Sequence, residues 1–482
     1  MANLSESFEK VVAANRSRVA VVEEGRQWTF GDLSDEIDRV ATLLRERVKG
    51  DTIGILLPNS QKYVTALFAI WKAGKTAVPL NYLLQSADIG FIIKDSGLSA
   101  LISSQFFAQH LAALKRLLGE DGVVLMADES AFMEASGSPA EAVRHEPALI
   151  LYTSGTTGRP KGVILTHSNL VLNVDSCRRA GRFDERDSFL CLLPFFHTYA
   201  ITGTILLPLL NGCKIALLER FAPLKVLRLI EEHKISVFLA IPSMYRVLAA
   251  GDVNVDTSSV RFPISGGEPL PMAVALAFEK RFGVPIFEGY GQTEAAPVVT
   301  LNVPGANKVG TIGRALPGVE VAIWDDQNNV LPADEVGEIM VRGGNVMAGY
   351  HNLPGETAQT ITNGWLHTGD LGKLDSDGFV TITGRKKDLI ISAGENIYPR
   401  EIEEVLSQHP KVKECVVIGV KDEIRGEVPK AFVIPRDGEN LEDKELRNFC
   451  RESLPNYKVP KHFDIVSDLP RTPTGKILKR AL

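Results

Sequence analysis

Up to about residue 305, apolar runs too short to be helices alternate with amphipathic stretches of helical period, and this restricts the architecture to one class. The stretch "WTFGDLSDEIDRVATLLRERV" places Leu33, Ile37, Val40 and Leu44 on one helical face. "TIGILLPNS" is an apolar run stopped by Pro and Asn, the pattern of a buried strand. "SQKYVTALFAIWKAGKTAVPL" repeats helix then strand, and "ALISS" and "GVVLMAD" continue the alternation. Further on, "HSNLVLNVDSCRRAG" and "APLKVLRLIEEHK" read as helices, "DSFLCLLPFFH" and "ISVFLAIPS" as strands, and "VPIFEGYGQTE" as a strand entering a loop. Such alternation predicts an α/β fold, with mostly parallel sheets and helices layered on their faces.

After residue 305 the texture changes. Gly, Pro, Asp and Asn become frequent between short alternating runs such as "VEVAIWDD" and "GEIMVRGG", which predicts an antiparallel, barrel-like or layered β region. "GFVTITGRKKDLIISAGENIYPREIEEVLSQHPKVKECVVIGV" then reads as strand, basic turn, strand, loop, helix and strand, a small α+β unit. The basic turn at 384–388 is the expected linker, dividing a large region 1–384 from a small one 385–482.

The bulk numbers exclude several function classes. A net charge of -6 over 482 residues offers no general basic surface for nucleic acid. The five cysteines are odd in number and widely spaced, with no C-x-x-C pair, which suits unpaired thiols in a reducing compartment. The opening "MANLSESFEKVV" has no signal-peptide pattern, so a cytoplasmic protein is expected. The most apolar stretch, "ITGTILLPLLNGCKIALL" at 201–218, is broken by Pro208, Asn211, Gly212 and Lys214, and reads as a buried helix followed by a strand.

One stretch carries chemistry on its face. "LYTSGTTGRPKG" at 151–162 holds Gly155, Gly158 and Gly162, the hydroxyls of Thr153, Ser154, Thr156 and Thr157, and the cation Lys161. Glycines allow close backbone approach, hydroxyls donate to phosphate oxygens, and a lysine adds a mobile point charge. The spacing is not the G-x-x-x-x-G-K-[ST] of the common phosphate loop. A looser grip on the triphosphate suits a nucleotide whose β- and γ-phosphates leave together as pyrophosphate.

This stretch resembles the phosphate loop of the adenylate-forming superfamily, which includes acyl-CoA synthetases, firefly luciferase and nonribosomal-peptide adenylation domains. "ISGGEPL" at 264–270, "GYGQTE" at 289–294, "WLHTGDLG" at 365–372 with "GRKKDLI" at 384–390, and "RTPTGKILK" at 471–479 follow in the superfamily's order. The resemblance implies a large adenylation region of two α/β layered subdomains and a β-barrel-like one, followed by a small mobile α+β domain. It implies that Gly266, Gly267, Glu268 and Pro269 lie against adenine, with Tyr290 stacked on its other side, among Glu288, Gly289, Gly291 and Gln292. Glu294 would bind Mg²⁺, for which a hard carboxylate oxygen is suited, and Thr293 would touch the α-phosphate. Asp370 would take the ribose hydroxyls, with Arg385 assisting at ribose or phosphate. Lys476 would bridge the substrate carboxylate and the α-phosphate, which otherwise repel. His197 would line and gate the acyl pocket, Lys387 matches the hinge, and Gly394 would leave room for a pantetheine arm. Without the resemblance, Glu294 reads as a surface carboxylate, Asp370 as a turn residue, Lys476 as a solvated terminal lysine and His197 as an ordinary histidine.

The implied reaction is acid–thiol ligation. A carboxylate attacks ATP to give acyl-AMP and pyrophosphate, and the CoA thiol then displaces AMP. No protein nucleophile is needed, in keeping with the absence of a convincing Ser-His-Asp or Cys-His signature. Amino-acid adenylation domains carry an Asp where this chain reads "FFHTYAITG", so an amino acid is disfavoured. Phe195, Phe196, Tyr199, Ile201 and Val298 would make an apolar pocket, and a medium- or long-chain fatty acid is the expected substrate. An aromatic acid, or transfer to a carrier protein, is the alternative. A non-catalytic nucleotide-binding regulator is disfavoured by Lys161, Glu294, Asp370 and Lys476 standing together. A homodimer is a family-level expectation.

Overall fold

The apolar runs of the first half pair into two sheets. In the computed structural model, which describes residues 3–128, 146–154, 159–251, 253–471 and 477–482 (Ser154 by its backbone alone), these sheets belong to a larger unit. That unit comprises Met1–Val321 and Val341–Leu366, and a smaller one comprises Ala322–Met340 and His367–Leu482.

The seven-stranded sheet runs, edge to edge, Gly349–Tyr350, Pro160–Thr166, Pro147–Ser154, Thr76–Pro79, Thr52–Ile55, Ala100–Ser103 and Val123–Met126. Its interior pairs are parallel, while Pro147–Ser154 and Pro160–Thr166 form an antiparallel hairpin. The nine-stranded sheet is parallel through its centre, Val19–Glu23, Lys214–Leu217, Ser188–Cys191, Val237–Ala240, Phe262–Ser265 and Phe287–Gly291. Antiparallel strands Arg26–Thr29 at one side and Val298–Leu301 with Arg314–Ala315 at the other complete it.

Helix formation follows local chemistry. Phe30–Arg47 begins at a capping box in which Thr29 and Asp32 satisfy each other's backbone donors, and it buries Leu33, Ile37, Val40 and Leu44 as the periodicity predicts. Gln61–Lys72 is apolar almost all round, and every residue in it but Lys62 is buried. Its last residue, Lys72, meets the carboxylates of Glu9 and Asp38, so the buried ammonium is paired. Residues 201–218 form a buried helix and then the strand Lys214–Leu217, with a π-helical stretch at Ile201–Leu206. Within that stretch a Cβ on Gly203 would lie 2.4 Å from Leu239 Cδ2, so a larger residue there would require the Leu239 side chain to move. Among the described residues no helix is long and apolar enough to cross a membrane. All five cysteines are unbonded, four of them buried.

In the smaller unit, residues of Trp365–Leu374 pair antiparallel with Val380–Arg385, placing Asp370 opposite Arg385. A five-stranded sheet follows, Glu395–Ile397, Ile390–Ser392, Gly426–Pro435 and Val412–Asp422, with His462–Ile465 joined parallel to Gly426–Pro435. The helices Pro399–Ser407 and Asp443–Ser453 cover it through Ile402, Leu406 and Leu446. "SAGENIYP", expected as a loop, is instead a tight hairpin. Ala393 (φ 51°) and Gly394 (φ 86°) turn the chain in the left-handed region, and Ser392 pairs with Glu395 across the turn.

Candidate active site

The neck of the glycine- and hydroxyl-rich hairpin brings Thr153 directly opposite Lys161, and Ser154 opposite Pro160. A Cβ on Gly162 would meet Tyr152 Cζ at 3.0 Å and His351 Cβ at 3.2 Å, so glycine lets three chain segments close together below the loop. Tyr152 donates to Asp95 Oδ2 at 2.6 Å, and His351 stands 3.0 Å from the Asp95 carbonyl, which fixes the neck from beneath. Gly155, Thr156, Thr157 and Gly158 lie outside the described residues, as does Lys476.

The strand Gly349–Tyr350 pairs with the outer hairpin strand, Tyr350 opposite Val163. The Tyr350 ring lies 5.3 Å from the Lys161 ammonium, and its hydroxyl donates to Glu294 Oε1 at 3.0 Å. Burial, with the Glu294 charge second, pushes the Tyr350 phenol well above its ordinary pKa, so it is a donor at every physiological pH. Lys161 is also ion-paired with Glu356, on the first turn of the helix Pro354–Thr360. Tyr350 and Glu356 were not among the residues the sequence singled out. "YHNLPGET" has neither the glycine density nor the hydroxyl run that marks an anion loop.

Glu294 sits in the 3-10 turn Thr293–Ala295 after the strand Phe287–Gly291. The turn is pinned on several sides. Met347 N–H donates to the Glu294 carbonyl at 2.8 Å, Asn345 to the Ala295 carbonyl at 2.9 Å, and Thr198 to Thr293 Oγ1 at 3.2 Å. Gly291 has no alternative residue here, because its Cβ would fall 1.8 Å from the Pro297 carbonyl oxygen, whose acceptor serves Gln292 N–H at 3.0 Å. A partly exposed carboxylate that accepts from a phenol fits a hard cation such as Mg²⁺.

The strands Phe262–Ser265 and Phe287–Gly291 run parallel, with Ser265 beside Glu288. This places the Gly266–Pro269 and Gly289–Gly291 segments side by side at the carboxyl ends of the strands, where open α/β sheets bind ligands. Gly266 faces the Gly289 carbonyl and the ring of Tyr199, whose atoms lie 3.2 Å from its would-be Cβ. Gly267 is exposed at φ 84° and Glu268 is half-buried, while Glu288 Oε1 accepts from Leu270 N–H at 3.3 Å. Tyr290, half-buried, pairs with Thr300 along the backbone.

Of the residues assigned to an acyl pocket, Phe195, Phe196 and Ile201 are buried, and Tyr199 and Val298 are partly so. Phe195 is held through its backbone, its N–H donating to Asn59 and its carbonyl accepting from Tyr63. His197 is exposed, with its ring 4.7 Å from that of Phe196.

In the smaller unit Asp370, 6% exposed, takes the Arg385 guanidinium at 3.1 Å. The turn before it is built by Glu338, which sequence reasoning missed. This buried carboxylate accepts from Gly369 N–H at 3.0 Å, meets Lys386 at 3.2 Å and stands 3.4 Å from His367 Nδ1. Lys387 is exposed on the 3-10 turn Lys386–Asp388, and among the described residues nothing lies within 4 Å of the would-be Cβ of Gly394.

Residues 8–351 match the AMP-binding enzyme family, and residues 401–476 match the AMP-binding enzyme C-terminal domain. The long-chain-fatty-acid–CoA ligase of Bacillus subtilis is 35% identical over 96% of this chain and 91% of its own. Feruloyl-CoA synthase of an Amycolatopsis species is 38% identical over 95% and 94%. Among solved structures, o-succinylbenzoate coenzyme A synthetase of Bacillus subtilis, in complex with ATP and magnesium ion, is 32% identical. It superposes with a TM-score of 0.88 over 99% of this chain and 98% of that one. With family motifs and whole-length relatives in agreement, the chain belongs to the AMP-binding enzymes of the adenylate-forming superfamily, as an ATP-dependent acyl-CoA ligase.

Proposed function

We propose that this ligase activates a medium- or long-chain fatty acid, with Lys161, Thr293, Glu294, Asp370 and Lys476 as its working residues. The observation that carries the adenylation site is the Lys161–Tyr350–Glu294 contact at the neck of a hydroxyl-rich hairpin. The apolar character of Phe195, Phe196, Tyr199, Ile201 and Val298 supports the fatty acid, since burial of each methylene contributes about 0.8 kcal/mol.

Thr153, Ser154, Gly155, Thr156, Thr157 and Gly158 wrap the β- and γ-phosphates, and Lys161 places its charge on them. Gly266 through Pro269 and Tyr290 bracket adenine, flanked by Glu288, Gly289, Gly291 and Gln292. Asp370 orients the ribose, and Arg385 turns from Asp370 toward ribose or phosphate. Glu294 would hold Mg²⁺, which when bound would supply positive charge against the triphosphate. Lys476 brings the carboxylate within reach of the α-phosphorus, where one O–P bond forms as the bond to pyrophosphate breaks. The CoA sulfur then adds to the acyl carbonyl, and AMP leaves with the C–O bond electrons. The small domain 385–482 turns about Lys387 between the two steps, and Gly394 then borders the pantetheine path while His197 opens the acyl pocket. The unbonded thiols suit a reducing, cytoplasmic setting.

The test is carboxylate-dependent AMP formation with CoA, run on straight-chain acids from butyrate to stearate and on aromatic acids. Preference for the longer straight chains is the expected result. Preference for an aromatic acid overturns the substrate, and AMP release without CoA consumption overturns the acceptor.

A further inference from the structure

Lys161 is occupied before any phosphate reaches it. The arrangement that occupies it is built by three successive fixings. Gly349 at φ 148° leaves room for Thr357, whose Cγ2 would lie 2.8 Å from a Cβ there. Thr357 Oγ1 accepts from Tyr350 N–H at 2.9 Å and donates to the Leu353 carbonyl at 3.0 Å, locking the helix Pro354–Thr360 to the strand Gly349–Tyr350. That strand is in turn paired with the strand carrying Lys161, and His351 N–H donates to the Gly162 carbonyl at 2.7 Å. The side chains that meet at the end of this chain are Glu356 and Lys161, with the Tyr350 ring alongside.

We propose that Glu356 is a positioning residue, a resident counter-ion that holds Lys161 in the nucleotide-free enzyme and is displaced by the phosphates of the substrate. The exposures of the two partners favour this exchange. The Lys161 side chain is 18% exposed, so leaving it without an anion is costly, whereas Glu356 is 34% exposed and can turn to water when released. Entry of the triphosphate then replaces one anion by another at the same ammonium. Departure of pyrophosphate is helped by the returning carboxylate. The inference rests on the assignment of Lys161 to the phosphates and adds the residue that competes with them.

The experiment uses the full chain with inorganic pyrophosphate and Mg²⁺ as the probe, by calorimetry, alongside ATP saturation kinetics. Glu356→Gln keeps the shape and removes the charge. It should bind pyrophosphate on the order of fivefold more tightly, given the usual worth of a partly exposed pair. KM for ATP should fall while kcat holds or drops, because pyrophosphate is retained; a purely structural role would raise KM and lower kcat together. Lys161→Ala should weaken pyrophosphate binding by about tenfold or more. In a Lys161→Ala background, Glu356→Gln should then change nothing. Unchanged or weaker binding in Glu356→Gln overturns the counter-ion role, and so does equal tightening with or without Lys161. If Lys161→Ala binds pyrophosphate normally, the phosphate assignment itself fails. Glu356→Asp, which shortens the reach to Lys161, should shift affinity in the same direction by less; no shift there also counts against the proposal.

Discussion

The Tyr350 hydroxyl donates to Glu294 at 3.0 Å while its ring lies 5.3 Å from the ammonium of Lys161, so one phenol touches both the proposed metal carboxylate and the proposed phosphate cation. Residues that orient a ligand from behind commonly change metal affinity by about 10- to 100-fold. Tyr350→Phe keeps the ring and removes the hydrogen bond. It should raise the Mg²⁺ concentration needed for half-maximal ATP–pyrophosphate exchange by about tenfold, with the lysine contact kept. A titration of exchange rate against Mg²⁺ checks this.

Glu338 supports Asp370 rather than touching nucleotide in the proposed site. Glu338→Ala leaves the Gly369 N–H without its buried acceptor, at a cost of about 2 kcal/mol, while Lys386 keeps its pairing with Asp326. A lower Tm is expected, together with a rise in KM for ATP as the Gly369–Asp370 turn loosens. Glu338→Gln, which still accepts from Gly369, should lose less of both. Thermal melts and ATP saturation curves on the two variants separate these outcomes.

Lys476 is assigned to the first half-reaction only. Lys476→Ala should lose adenylation by on the order of 100-fold or more and largely spare thioester formation from supplied acyl-AMP. Equal loss of both half-reactions would count against a domain that alternates between two arrangements.

The thiols make a prediction about alkaline pH. Burial pushes Cys177, Cys191 and Cys415 up to about 12 and Cys450 up to about 11. A thiol raised on folding contributes stability that is fully present below its unfolded pKa of about 8.5 and is lost as pH rises toward the folded value. The Tm should therefore hold through neutral pH and fall between about pH 9 and the onset of alkaline unfolding. Native protein at pH 8 should take up little alkylating reagent, measured by intact mass, and all five thiols should react once it is unfolded.

Much of the architecture is legible because burial repeats at the period of the backbone. Leu33, Ile37, Val40 and Leu44 marked a helix face that is buried, and "TIGILLPNS" and "ALISS" marked central strands. Strand order was not legible, since neighbours such as Val19–Glu23 and Lys214–Leu217 are joined by no local signal. The hairpin at Ser392–Glu395 was missed because a non-glycine residue, Ala393, takes the left-handed position beside Gly394. In the proposed site, the stretch at 151–162 stood out by its glycines and hydroxyls, whereas Glu294, Asp370, Lys476 and His197 stood out only through the superfamily resemblance. The residues that hold them stood out by neither. Tyr350, Glu356 and Glu338 act through partners that come close only after the strands pair.

The two-residue strand Gly349–Tyr350 is also the outer border of the seven-stranded sheet. Beyond it the backbone of Pro160–Thr166 would present a row of unsatisfied donors and acceptors, the kind of surface onto which a second chain can add a strand. The segment that carries the phenol to Glu294 thus also blunts an edge. Substitutions that dislodge it, at Gly349 above all, should yield protein that self-associates as well as protein that fails to bind ATP.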